Sequence, residues 1–200
     1  MRFSILIGAL ALAMGPVCFG ALPTVPDVAV CVKNSYLAPP GILERAKHMA
    51  TGMFKAAGVN LIWVETEEAG RRTGAPLYLD VTLETSPSWS ARKRSDALAQ
   101  ARPFALNSDA ITIRYDRLLQ TIGPDKELAT ALLAHTLAHE IGHMVENVDH
   151  HSETGVMKAR WDGGDYREMS WKPMEFAPED VVLMGQGLRE WQRRASVAAD

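Results

Sequence analysis

His139-Glu140-Ile141-Gly142-His143-Met144-Val145-Glu146-Asn147-Val148-Asp149-His150-His151-Ser152-Glu153-Thr154-Gly155-Val156-Met157 is the stretch from which the rest of the chain can be read. Two histidines four residues apart on a helix project from one face, because 3.6 residues per turn stacks i above i+4. His139 and His143 can therefore grip one Zn²⁺ at roughly 2.0–2.1 Å. Glu140, next to the first of them, is placed to hold and deprotonate a water on that metal. A third ligand from beyond the helix would leave one tetrahedral position open, as a catalytic zinc site requires. The pattern points to a zinc hydrolase with one catalytic ion, and peptide bonds are the expected target.

For a nearby downstream residue to reach the same metal, the helix must end soon after His143. Asn147 is the expected turning point, since asparagine tolerates the left-handed conformation better than most residues with a side chain. Three candidates for the third ligand follow it: Asp149, His150 and His151. Consecutive residues rarely point the same way, so one should ligate while the others face elsewhere. A glutamate ligand, Glu168 or Glu175, would need a helical frame, and Met169 to Phe176, with Pro173 inside it, has no helix pattern. His135 shares the ligand face one turn earlier, but a metal is hardly reached from three successive turns. A core or supporting histidine is the expectation there.

Working outward, Val28 to Val32 reads as a strand. Pro39-Pro40 opens a helix to about Ala57, with Ile42, Leu43, Ala46, Met49, Ala50 and Met53 at core spacing. Gly58 stops it, and Val59 to Val64 is a second strand. Arg71 to Pro76 reads as loop, Leu77 to Leu83 as an alternating strand, and Ser86 to Ser95 as a polar loop. Ala110 to Tyr115 alternates as a further strand. Gly123-Pro124-Asp125 begins the motif helix, with Pro124 in its first turn and Asp125 and Glu127 favourable to its dipole. The chain then reads as irregular until Ala177-Pro178-Glu179-Asp180 caps a final helix to about Arg194. The layout is α+β: a twisted sheet with helices on one face.

The segment His139 to Trp161 resembles the metzincin zinc endopeptidases, and more closely a group of short secreted bacterial proteins reading roughly HExGHxLLGxxxHSxxGIMxxxW. The resemblance implies a twisted mixed sheet with a long helix, an active-site helix, a methionine turn beneath the metal and a C-terminal helix. It implies zinc chemistry with Glu140 as general base. It places His151 third, with Asp149 and His150 as the alternatives, and puts Asn147 at the turn glycine and Met157 in the methionine turn. It also implies a substrate-binding edge strand near Asp96 to Arg102. Two residues depart from it: Asp149 stands where the usual metzincin has its third histidine, and Asn147 replaces glycine.

With 200 residues and 47% hydrophobic content, the chain suits one domain with a sizeable core. Residues 1–20 read as a signal peptide: Arg2, an apolar run from Phe3 to Val17, then small residues before Ala21. A secreted or periplasmic domain of residues 21–200 is the expectation, with an uncleaved anchor or a chain lipidated at Cys18 as the alternatives. Without that leader the count is 20 basic against 24 acidic residues, a net charge of −4 rather than −3. Arg92-Lys93-Arg94 is a lone basic cluster that reads as a solvated loop, so a peptide or protein partner is expected rather than nucleic acid. Cys31 has no partner in the mature chain and reads as a buried structural thiol. A contrasting function is a zinc-stabilised secreted binding module without turnover, for which an intact Glu140 would be superfluous.

Overall fold

The computed structural model describes residues 25–36, 38–85, 98–101, 110–123 and 125–199. The leader, the 86–95 loop with its basic cluster, and residues 96, 97 and 102 of the expected edge-strand segment lie outside these. Five strands form one sheet in the order β2-β1-β3-β5-β4. They are β1 (Asp27–Asn34), β2 (Asn60–Val64), β3 (Leu77–Glu84), β4 (Ala99–Gln100) and β5 (Ala110–Arg114). The three pairings from β2 as far as β5 are parallel, and β4 runs antiparallel at the edge.

The sheet's inner face is set by period-two alternation. Leu77, Leu79, Val81 and Leu83 of β3 are buried, and their registered neighbours include Val28 and Val30 on one side and Ile111 and Ile113 on the other. Helix α1 (Pro40–Ala56) lies on this face with Ile42, Leu43, Ala46, Ala50, Met53 and Phe54 buried. Its first turn accommodates Pro40, which lacks the amide hydrogen a first-turn residue could not use. Gly58, at φ 77°, ends the helical path where an L side chain would be strained.

Helix α2 (Glu67–Arg72), capped by Thr66, replaces part of the expected 71–76 loop. Gly70 packs against the Tyr78 ring, whose strand position faces away from Leu77 and Leu79, so α2 covers the opposite face of the sheet. Helices on both faces therefore correct the one-faced arrangement expected from the sequence. Cys31 is buried, its thiol directed to the Glu65 carbonyl at 3.5 Å. Tyr115 does not end a strand but opens α3 (Tyr115–Ile122).

The motif helix α4 (Lys126–Glu146) runs through the centre of the molecule, buried on almost every side from Ala129 onward. Asp125 caps it: its side chain accepts the amide hydrogens of Glu127 and Leu128 at 2.9 and 3.0 Å, while Pro124, expected in the first turn, lies outside the described residues. Helix α5 (Gly163–Met169) was not expected from the sequence. Helix α6 (Pro178–Ala199) crosses α4 with Asp180, Met184, Gly187, Leu188 and Trp191 along its inner stripe. Gly187 makes the crossing close, since a Cβ there would collide with the Val145 carbonyl oxygen. Trp191 Nε1 donates to the Met144 carbonyl at 3.0 Å. Among the described residues, no helix is long and apolar enough to cross a membrane.

Candidate metal centre

The three-residue group that α4 and its following turn bring together is His139, His143 and His151. Their ligand-capable atoms all lie within 4.8 Å of one another. His139 and His143 stack one turn apart on α4, with Nε2 atoms 3.2 Å apart. Asn147 then takes φ 56° and ψ 34°, with its amide hydrogen donated to the His143 carbonyl at 3.0 Å. This left-handed residue reverses the chain, as its side-chain chemistry led one to expect. The reversal returns His151 to the helical pair, its ring centroid 5.3 Å from that of His139 and 4.8 Å from that of His143.

The donor set suits a divalent zinc. His139 Nδ1 lies 2.9 Å from the Val156 carbonyl oxygen, which can only accept, so that nitrogen carries the proton and Nε2 keeps a lone pair. Burial holds the His139 imidazole below its usual pKa, and burial with two neighbouring imidazoles pushes His143 down to about 4. Both rings are thus neutral near pH 7, the form that ligates metal. Two buried and half-buried imidazoles with one exposed one leave an approach open from solvent.

The alternative ligands go elsewhere. Asp149 is exposed and outside the group. His150 turns toward α6, where its Nε2 stands 4.0 Å from Asp180 Oδ1. Glu168 does lie on a helix, α5, and Glu175 is exposed, but neither joins the histidines. His135 is wholly buried and fully used: Nδ1 lies 2.7 Å from the Ala131 carbonyl, and Nε2 accepts from the Met174 amide at 2.9 Å. It ties the segment before α6 to α4, a core role.

Glu140 follows His139 on α4 and is 7% exposed. Burial raises its carboxyl pKa to about 7, opposed by a hydrogen bond from the Ala101 backbone amide. That contact joins the carboxylate to the residue directly after β4, the antiparallel edge strand. Here the structure places an edge strand inside the Asp96 to Arg102 segment. Ala99 and Gln100 are registered against Ile113 and Thr112 of β5, and among the described residues no strand pairs with the other side.

Below the histidines the chain makes a second tight turn. Gly155 has φ 77°, and a Cβ on it would strike the Glu175 carbonyl oxygen. The Ser152 amide donates to the Met157 carbonyl at 3.0 Å, and Val156 donates to Glu175 at 3.0 Å. Met157 is wholly buried, and a Cβ on Gly142 would lie 2.5 Å from its Sδ. Lys158, the next residue, binds Asp165 and Asp162 of the α5 start at 2.7 and 3.0 Å. Trp161 sets its ring edge-on to His139, centroids 5.5 Å apart at 80°.

Three contributors were not foreseen: the Val156 carbonyl, the Ala101 amide and the Asp180 carboxylate. The first two are backbone groups and leave no sequence signal. Asp180 was visible only as a helix-start residue.

No protein-family model matches the chain, and no curated protein does. Among solved structures it is similar to archaemetzincin from Methanopyrus kandleri, at 17% identity and a TM-score of 0.48, over 84% of this chain and 97% of that one.

Proposed function

We propose that the protein is a secreted zinc-dependent endopeptidase with His139, His143 and His151 as zinc ligands and Glu140 as general base. The observation that carries this reading is the convergence of three imidazoles, two of them held neutral by burial, beside a buried carboxyl group. A purely structural zinc site has its ligand positions closed and no use for such a carboxylate. Zinc, when bound, supplies a Lewis acid that polarises the scissile carbonyl and lowers the pKa of a coordinated water. Glu140 takes the proton from the attacking water on its carboxylate and delivers it to the leaving amine. Its raised pKa fits a group that must accept and return a proton near neutrality.

The His139 Nδ1–Val156 bond fixes that ring's tautomer and orientation, so the methionine turn acts on the ligand directly. A peptide extended along the open edge of β4 would pair backbone to backbone and lie beside Glu140, which the Ala101 amide holds at that edge. Met157 fills the space under the histidines as packing and donates nothing to the metal.

The test is metal content. Purified residues 21–200 should hold one zinc per chain. That zinc should be lost in His139→Ala and His143→Ala and retained in Glu140→Gln. A folded chain that takes up no zinc would contradict the proposal.

A further inference from the structure

The geometry points to Asp180 as a positioning residue for the third ligand, acting through Ser152 to hold the His151 ring toward His139 and His143. The inference rests on the proposed zinc site. His139 and His143 are held by a buried helix, but His151 is exposed on an irregular segment. Among the described residues its ring makes no hydrogen bond, so its direction must come from its neighbours. Both neighbours face Asp180. Ser152 Oγ donates to Asp180 Oδ1, and His150 Nε2 lies 3.4 Å from Ser152 Oγ and 4.0 Å from Asp180 Oδ1. With residues 150 and 152 turned to α6, residue 151 between them turns the opposite way, to α4.

The anchor itself is rigid. Asp180 has no solvent exposure, and its Oδ2 accepts the Ala177 amide hydrogen at 2.8 Å, closing the first turn of α6. Capping needs only one carboxylate oxygen; the other reaches across 28 residues of sequence to Ser152. The Ser152 amide is pinned in turn to the Met157 carbonyl. Ser152 is thus fixed at side chain and backbone, one residue from the ligand. A carboxylate buried to this degree is tolerated because every oxygen is bonded.

The test measures zinc affinity by chelator competition in wild type, Ser152→Ala, Asp180→Asn, His151→Ala and the Ser152→Ala/His151→Ala double variant. Melting of each metal-free chain and the absorption spectrum of its cobalt form accompany it. Ser152→Ala leaves the Asp180–Ala177 cap intact, so it stays informative if Asp180→Asn folds poorly. We expect Ser152→Ala to weaken zinc binding about 10- to 100-fold, to alter the cobalt spectrum, and to have no further effect once His151 is gone. Undiminished affinity in Ser152→Ala overturns the inference and leaves the zinc site standing. An equal loss in the His151→Ala background overturns it too, since the effect would not pass through that ligand. A wild-type chain that binds no zinc overturns the site reading and the inference with it.

Discussion

Gly142 is the residue that lets Met157 seat beneath the histidines: a Cβ on Gly142 would stand 2.5 Å from the Met157 sulfur, closer than real side chains approach. The helix face between His139 and His143 and the methionine turn are therefore in direct contact, with no room for one methyl group. Gly142→Ala should gain helix propensity yet destabilise the fold by about 1–3 kcal/mol, because Met157 is wholly buried and must move. It should also weaken zinc binding, since the shifted turn carries the Val156 carbonyl that orients His139. Thermal melting and chelator competition read the two effects separately. A stabilised variant with unchanged zinc affinity would refute the contact's importance.

The third-ligand choice is tested by three alanine variants. His151→Ala should lower zinc affinity at least 100-fold, whereas Asp149→Ala and His150→Ala should leave the zinc stoichiometry at one. The geometry places only the first of these three side chains against the helical pair. Loss of zinc in Asp149→Ala with retention in His151→Ala would reverse the assignment.

His135, one turn before His139, invites a metal role that its hydrogen bonds deny it. His135→Leu leaves the Met174 amide hydrogen buried without an acceptor and should cost about 1–3 kcal/mol. Zinc stoichiometry should not change. A metal-depleted but otherwise stable His135→Leu would show the histidine to be a ligand after all.

Glu146, the last residue of α4, is 3% exposed, and among the described residues neither carboxylate oxygen has a hydrogen-bond partner. Burial, and secondarily the charge of Asp180, raises its pKa from 4.5 to about 8. A carboxyl raised in the folded state binds its proton more tightly there than in the unfolded chain. Its favourable contribution is complete below about pH 4.5 and is lost as pH climbs through about 8. Glu146→Gln should therefore gain stability relative to wild type as pH rises across that window, on the order of 2–4 kcal/mol in the metal-free chain. Denaturant unfolding at several pH values measures it. A constant difference between the two proteins would show that Glu146 keeps an ordinary pKa.

Much of this fold could be read before it was seen, because strong periodicity is local. The β3 alternation, the α1 stripe and Gly58 depend on neighbours a few residues away, and so does the Asn147 reversal. The short helices were hidden for physical reasons. Helix α5 begins Gly163-Gly164, poor helix formers, and exists through the Asp162–Asp165 capping box and the Lys158 tether to both carboxylates. Helix α3 starts at Tyr115, whose aromatic character continues the β5 pattern until burial against Tyr36 turns the chain. At the site, the i, i+4 histidines announce themselves. Which of three consecutive residues faces them depends on Asp180, placed by a helix crossing that no local pattern encodes.

Peptide hydrolysis by Glu140 at a zinc held by three histidines is the activity we propose. Its most direct test offers a diverse peptide mixture to the zinc-loaded chain, residues 21–200, beside Glu140→Ala, with new termini identified by mass spectrometry. We expect cleavage at internal bonds by the wild type and a loss of at least 100-fold in Glu140→Ala, with zinc still bound in both. Equal cleavage by the two would contradict the role of Glu140. No cleavage by a folded, zinc-bearing wild type would contradict the endopeptidase reading and favour a zinc-stabilised binding module.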